Sequence, residues 1–502
     1  MKFEKNFKFI VIEEKNKFFS QKNIILVSFL YRIFIFLLSK KEIVYLHKIN
    51  SYNLMLEEKF LSFLNFEHTK PLAFFIKDYI LSKIYPSNLE ISNFFLISIV
   101  DIIAVLIYYR IILRITRLPK QSFLFASLLS ISFVSWEYWR NASHFDHLNI
   151  FIFALFIHSS FSLYQNKKLM NKLYYFLSLL LILSFHSFGI IFSLTSILLI
   201  CEFKVQKRLL FFGLTSLVIY LLLVSGNLTK YQIPFISTVG GQNQLQWIWS
   251  NNNAEKEIIM LIEKDNDIPS WYKKCFNDAY KLSGKDGSIY GKCFPNPVEE
   301  PMSAKKYLKN YLNIYEDKKL KEYINKDLQV IEKNYHFSGG YADSKLNFSV
   351  YYGKFSGKLA KKVALTNPLI TTYSIARSIY AGLLGSAFFS GMHYEPLHIK
   401  VPFFHKLINY FISTLFFLGF CYSSIYLFFR IIRNLFRQNL LDLNRENFLL
   451  NFSSVFSCLN LALYSITTCC ENGRMMVGIL PYTLIAIIYF GKTIKKPFIS
   501  LQ

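Results

Sequence analysis

The sequence predicts an all-α polytopic membrane protein of about ten transmembrane helices. Three observations predict it. The chain of 502 residues is 53% hydrophobic and 18% aromatic, and its mean hydropathy is +0.29. Its apolar residues gather in runs long enough to cross or nearly cross a bilayer, at 23–39, 92–113, 122–138, 145–164, 172–186, 188–203, 208–225, 404–429, 449–469 and 475–491. Its basic residues fall in every second connection between those runs.

The first run follows a polar, basic stretch and has no small-residue cleavage site, so it reads as a retained anchor rather than a cleaved signal. The short basic connections carry Arg114, Arg117 and Lys120, then Lys167, Lys168 and Lys172, then Lys204, Lys207 and Arg208. Arg430, Arg433, Arg437 and Arg445 follow, and the tail adds Lys492, Lys495 and Lys496. The short alternate connections hold little beyond Arg140 and Arg474. The positive-inside rule then puts both termini in the cytoplasm. The long segments 40–91 and 226–403 fall on the outer side.

Three regions follow: an N-terminal membrane region, 1–225, with its first outer loop at 40–91; an outer loop domain, 226–403; and C-terminal membrane helices, 404–502. In the first loop, 52–64 reads as an amphipathic interfacial helix. Pro71 opens a second helix and Pro86 closes it. In the large loop, 254–265 and 303–333 read as polar-faced helices, and 344–366 as a basic amphipathic stretch. Asn367-Pro368 starts an apolar helix over 369–390, expected to lie in or dip into the interface. The large outer loop is thus mainly helical.

The net charge of +25 does not imply nucleic acid. Much of it lies in connections assigned to the cytoplasm, where anionic membrane lipids are the natural partner. Of seven cysteines, only Cys275 and Cys293 share the outer loop, where an oxidising compartment would allow a disulfide. No Cys/His spacing resembles a zinc site. Arg32 and Asp101 lie in the middle of the first two apolar runs. Charges there seek partners, so the two are expected to pair between adjacent helices.

The outer face gathers the candidate chemistry. Glu67, His68, Thr69 and Lys70 precede the helix-opening Pro71; Arg140, His144 and Asp146 bracket the turn before the fourth run; Glu471 and Arg474 lie in the last outer turn. A cation beside a helix N-terminus makes a ready anion site. Lys70, Arg140 and Arg474 are therefore expected to converge on one anionic headgroup, with Glu67, His144 and Glu471 beside them.

Four segments in order resemble the GT-C class of membrane glycosyltransferases, and more closely the bacterial lipid A aminoarabinose transferases and protein O-mannosyltransferases. Phe66-Glu67-His68-Thr69-Lys70-Pro71-Leu72 is similar to that family's aromatic-Glu-Lys-Pro step, with two extra residues. Arg140 to Asp146 resembles its Arg…Asp turn after the third span. Ser237-Thr238-Val239-Gly240-Gly241-Gln242-Asn243 looks like its Ser-Thr-x-Gly-Gly-x-Asn stretch. Glu471-Asn472-Gly473-Arg474 through Pro481 resembles its Glu-x-x-Arg…Pro opening of a late span.

The resemblance implies a plasma-membrane enzyme that takes a sugar from a polyprenyl phosphate and transfers it to a glycan, lipid or protein on the outer face. A carboxylate would deprotonate the acceptor hydroxyl, and cations would stabilise the departing lipid phosphate. The family's catalytic acid lies just after the first span. Here no Asp occurs between Lys40 and Lys77. The catalytic carboxylate is left open among Glu42, Glu57 and Glu58, with Asp146 as the second acid. Some relatives use a divalent metal, and metal use is open here too. Two other classes also place charge in outer loops or in the membrane: envelope-polysaccharide polymerases or ligases, and transporters or flippases. The first should lack the Lys-Pro step; the second should show several charged or broken helices near midplane.

Overall fold

A computed structural model describes residues 19–38, 83, 89–132, 146–166, 168–185, 189–193, 207–231, 255–264, 266, 273, 357–358, 360–388, 403–436, 448–467 and 477–499. Among these residues all regular structure is helical, with no strand. The helices are α1 Gln21–Leu38, α2 Leu89–Thr116, α3 Pro119–Ser132, α4 Asp146–Gln165, α5 Leu169–Phe185, α6 Lys207–Leu223, α7 Ser225–Tyr231, α8 Glu255–Lys264, α9 Pro368–Phe388, α10 Phe403–Phe436, α11 Phe448–Thr467 and α12 Leu480–Ile499. A short 3-10 turn, Val477–Ile479, leads into α12. Three described stretches are long and apolar enough to cross a bilayer: Phe94–Thr116, Leu148–Gln165 and Tyr410–Arg430. Several shorter apolar helices accompany them.

Side-chain contacts fix the helix directions. Arg32 meets Asp101 while Gln21 meets Arg110, so α1 and α2 are antiparallel. Phe19 meets Phe123 and Ser28 meets Ser130, so α3 runs with α1. Arg114 reaches Gln165, so α2 and α4 end together. Ser159 bonds Ser178 and Ser162 accepts from Asn171, so α5 returns along α4. Leu183 packs with Tyr220 and Leu223, so α5 and α6 also end together. Tyr164 stacks on Phe448 and Phe153 meets Phe456 edge-on, so α11 opposes α4. Tyr426 bonds Asn451 while Ser424 meets Cys458, so α10 opposes α11. Gly419 touches Thr483 and Tyr422 touches Phe490, so α12 runs with α10. Helices α2, α4, α10 and α12 therefore run one way, and α1, α3, α5, α6 and α11 the other. The basic residues at their termini, among them Arg110, Arg114, Lys120, Lys172, Arg430 and Lys492, accordingly belong to one end of the bundle.

Local chemistry explains several boundaries. Arg117 has φ 59°, and its N–H donates to the Leu113 carbonyl at 2.9 Å. That left-handed residue caps α2. Pro119 then opens α3, where a missing N–H costs nothing. The Asn367 side chain accepts from the Ile370 N–H at 3.3 Å, capping α9 just before Pro368 as expected. Gly189 lies against the last turns of α5: a Cβ there would stand 2.3 Å from the Ile182 carbonyl oxygen, so only glycine fits that approach.

The core is aromatic and lies where α4, α11 and α12 meet. Phe452, Phe456 and Tyr482 stack, with Phe456 and Tyr482 centroids 4.5 Å apart. Phe153 meets Phe456 edge-on at 5.0 Å. Such pairs add about 0.5–1.5 kcal/mol each beyond area burial. The Tyr482 hydroxyl donates to the Phe153 carbonyl at 2.7 Å, which satisfies its polar end inside the core.

Two expectations are refined. The apolar helix after Asn367-Pro368 does not lie apart from the bundle: α9 packs on α10 and α11, with Ile379 against the main core. Its buried Ser374 and Ser378 are small enough to permit that approach. The helix expected over 404–429 extends two turns further, to Phe436, carrying Arg430 and Arg433 within it.

At the crossing of α10 and α12, a Cβ on Gly419 would stand 2.4 Å from the Thr483 carbonyl oxygen. Buried Ser423, one turn on, completes a small-xxx-small face. Replacing Gly419 with Leu should therefore force α10 off α12 and lower the melting temperature in detergent. The same change at Gly491, where a Cβ meets nothing within 4 Å, should leave it nearly unchanged.

Candidate functional site

The deepest polar feature joins α1, α2 and α3. The Arg32 guanidinium donates through Nη2 to Asp101 Oδ2 at 3.3 Å. Through Nη1 it donates to the Ser28 carbonyl at 3.0 Å and to Ser130 Oγ at 2.9 Å. Ser130 Oγ in turn donates to Ser28 Oγ at 2.8 Å. Arg32 and Asp101 are both 0% exposed. The pairing expected from their positions is therefore present. Arg32 lies eleven residues into α1, about 17 Å along its axis at 1.5 Å per residue. An ion pair sealed at that depth is reached by no substrate, so it serves to fasten helices. Ser28 was legible, being one turn before Arg32 on the same helix. Ser130 was not, because nothing in a sequence says which face of α3 meets α1.

A second arrangement lies at the head of α4, whose first residue is Asp146. The 3-10 turn Val477–Ile479 packs against this part of α4. A Cβ on Gly478 would stand 3.1 Å from the Phe153 ring and 3.8 Å from the Ile150 backbone nitrogen. Four residues after Arg474 the chain thus touches α4 four residues after Asp146. Phe153 and Gly478 were not singled out from the sequence, where a lone Phe and a lone Gly in apolar surroundings carry no signal.

The remaining expected site residues lie outside the described residues: Glu42, Glu57, Glu58, Glu67, Lys70, Arg140, His144, Glu471 and Arg474. So do Cys275 and Cys293, the interfacial helices of the first loop and the helix expected over 303–333. The helix expected over 254–265 is present as α8. Among the described residues no group of three His, Cys, Asp or Glu side chains is placed to hold a metal ion. No protein-family profile, no curated protein and no solved structure matches this chain.

The Arg32–Asp101 pair makes a clear prediction. Asp101→Asn leaves a buried guanidinium without its counter-charge, a loss of about 3–5 kcal/mol for a fully buried pair. It should lower the amount of folded protein in membranes, measured by fluorescence-detected size-exclusion chromatography. Replacing both partners by apolar residues, Arg32→Met with Asp101→Leu, should recover most of that loss. A double variant as poor as the single one would show that the charges do more than neutralise each other.

Proposed function

We propose that the chain is a membrane glycosyltransferase that moves a sugar from a polyprenyl-phosphate donor to a lipid, glycan or protein acceptor. Transfer takes place at the end of the bundle opposite the basic termini. In this reading the basic end faces the cytoplasm, the chain crosses the membrane ten times, and 40–91 and 226–403 lie outside. The shared end of Arg110, Arg114, Lys172 and Arg430 supports this, because cytoplasmic loops carry the excess of Lys and Arg.

The observation that carries the proposal is the contact of Gly478 with Ile150 and Phe153. Arg474 and Asp146 are each four residues from it. Four residues of extended chain reach about 14 Å, and one helical turn spans about 5.4 Å. In this reading the acid at the head of α4 and the cation of the last outer turn share one neighbourhood, and these short spacings support it. A cation facing a carboxylate across the width of a sugar suits this chemistry. Lys70, Arg140 and Arg474 stabilise the leaving phosphate. Asp146, or one of Glu42, Glu57 and Glu58, takes the acceptor's proton. Glu67, His144 and Glu471 orient these groups.

The burial of the ion pair favours this reading over transport. A carrier needs charged groups that substrate or ions can visit near midplane, and Arg32 and Asp101 are sealed.

Two measurements test the proposal. Purified protein in liposomes, given radiolabelled polyprenyl-phosphate sugars and a membrane extract as acceptor, should release polyprenyl phosphate and label the extract. Arg474→Ala should reduce donor use by at least about tenfold, the cost of a charge-assisted phosphate contact of about 1.5 kcal/mol or more. Asp146→Asn should cut turnover with the elution profile unchanged. Transfer that survives both changes would overturn the assignment. For sidedness, a cysteine at Lys285 should react with an impermeant maleimide in intact cells. Labelling only after permeabilisation would invert the topology and remove the outer-face site.

A further inference from the structure

Helix α2 carries a feature that the transfer reading does not use. Its exposed face reads Phe95, Ile99 and Ile103, which are 49%, 54% and 40% exposed. The same face then continues into Arg110 and Arg114, also exposed. At 100° per residue these five positions fall within one stripe about 100° wide. An apolar track that ends in two cations has the polarity of a lipid standing in one leaflet.

The two arginines are built into place. Arg110 Nη2 donates to Gln21 Oε1 of α1 at 3.0 Å. Arg114 Nη1 donates to Gln165 Oε1 of α4 at 3.4 Å, and its guanidinium lies 5.7 Å from the centre of the Phe161 ring. Each fork thus has one donor committed to a neutral amide. Among the described residues, no carboxylate lies within ion-pair distance of Arg110 or Arg114. Like charges four residues apart on a helix repel by a few tenths of a kcal/mol. A second, nearby element adds no negative charge: His158 of α4 meets Tyr174 of α5 edge-on at 5.7 Å beside them. Two tethered guanidinium forks without a counter-charge are complementary to a phosphate, which accepts several N–H donors in bidentate pairs.

We infer that Arg110 and Arg114, held by Gln21 and Gln165, form a binding site for the phosphate headgroup of an anionic phospholipid, with its acyl chain lying along Ile103, Ile99 and Phe95. From Arg110 to Phe95 the helix rises about 22 Å, roughly half of a bilayer of about 40–45 Å with its headgroups. That matches one leaflet. The site is independent of the transfer chemistry, which is proposed for the opposite end of the bundle. Its ligand is structural or regulatory, and it differs from diffuse attraction because the forks are positioned by side chains from α1 and α4.

Native mass spectrometry of the detergent-purified full chain tests this directly, with phosphatidylglycerol and phosphatidylcholine supplied in equal amounts. Wild-type protein should retain phosphatidylglycerol at least about tenfold over phosphatidylcholine, as expected for charge-assisted contacts of about 1.5 kcal/mol or more. Arg110→Gln with Arg114→Gln should abolish the preference while the elution profile stays unchanged. Gln21→Ala with Gln165→Ala should weaken it several-fold although no charge is lost. Lys120→Gln, which removes a charge from the same end, should have no effect. An equal loss in Lys120→Gln, or an unaltered preference in the double arginine variant, would overturn the site. Should millimolar inorganic phosphate displace the lipid completely, the ligand is free phosphate and the lipid assignment falls.

Discussion

A buried charge in an apolar bundle must find its opposite, and the Arg32–Asp101 pair is where this chain meets that demand. The guanidinium spends its donors on Asp101, on Ser130 and on the Ser28 carbonyl. Three helices are tied at one point. Lipid-surrounded helices gain little from hydrophobic attraction between themselves, so polar ties and close packing set how they associate. The pair also ties together the two helices that flank residues 39–88 in the sequence: α1 precedes them and α2 follows them. Fixing α1 against α2 fixes the two helices between which Lys70 and the candidate glutamates lie in the sequence.

The rest of the bundle is assembled by shape. Helices α4, α11 and α12 share an aromatic cluster in which Phe153 meets the stacked Phe452, Phe456 and Tyr482 edge-on. Helices α10 and α12 approach backbone to backbone because Gly419 has no Cβ. These contacts carry the start of α12 onto the head of α4, through Gly478. The proposed phosphate-binding and proton-accepting groups depend on that approach. In the proposed reading, the ion pair and the aromatic cluster anchor the helices next to the first loop and the last turn respectively.

Much of this was legible from residues alone. Arg32 stands out as the only charge in its run, and Asp101 as the only acid in its run. Asn367-Pro368 announces a helix start through its own side-chain and ring chemistry. The alternation of basic connections matches the shared end of the helix termini. What was not legible depends on neighbours distant in sequence. Gly419 is an ordinary glycine until Thr483 lies against it. Residues 369–390 are apolar enough for an interface and for a bundle, and only packing on α10 and α11 separates the two. Arg110 reads as one more cation near a helix end, until Gln21 and Arg114 place it on a lipid-length apolar stripe.

The central claim is that the first loop, the head of α4 and the last outer turn form one site. Spin labels at positions 70, 146 and 474, introduced pairwise in the full chain in liposomes, measure it most directly through dipolar distances. The account predicts that all three distances fall within about 20 Å, two Debye lengths at moderate salt, where charges still act on a shared substrate. A distance from position 474 beyond about 40 Å to either of the others, four such lengths, would contradict it.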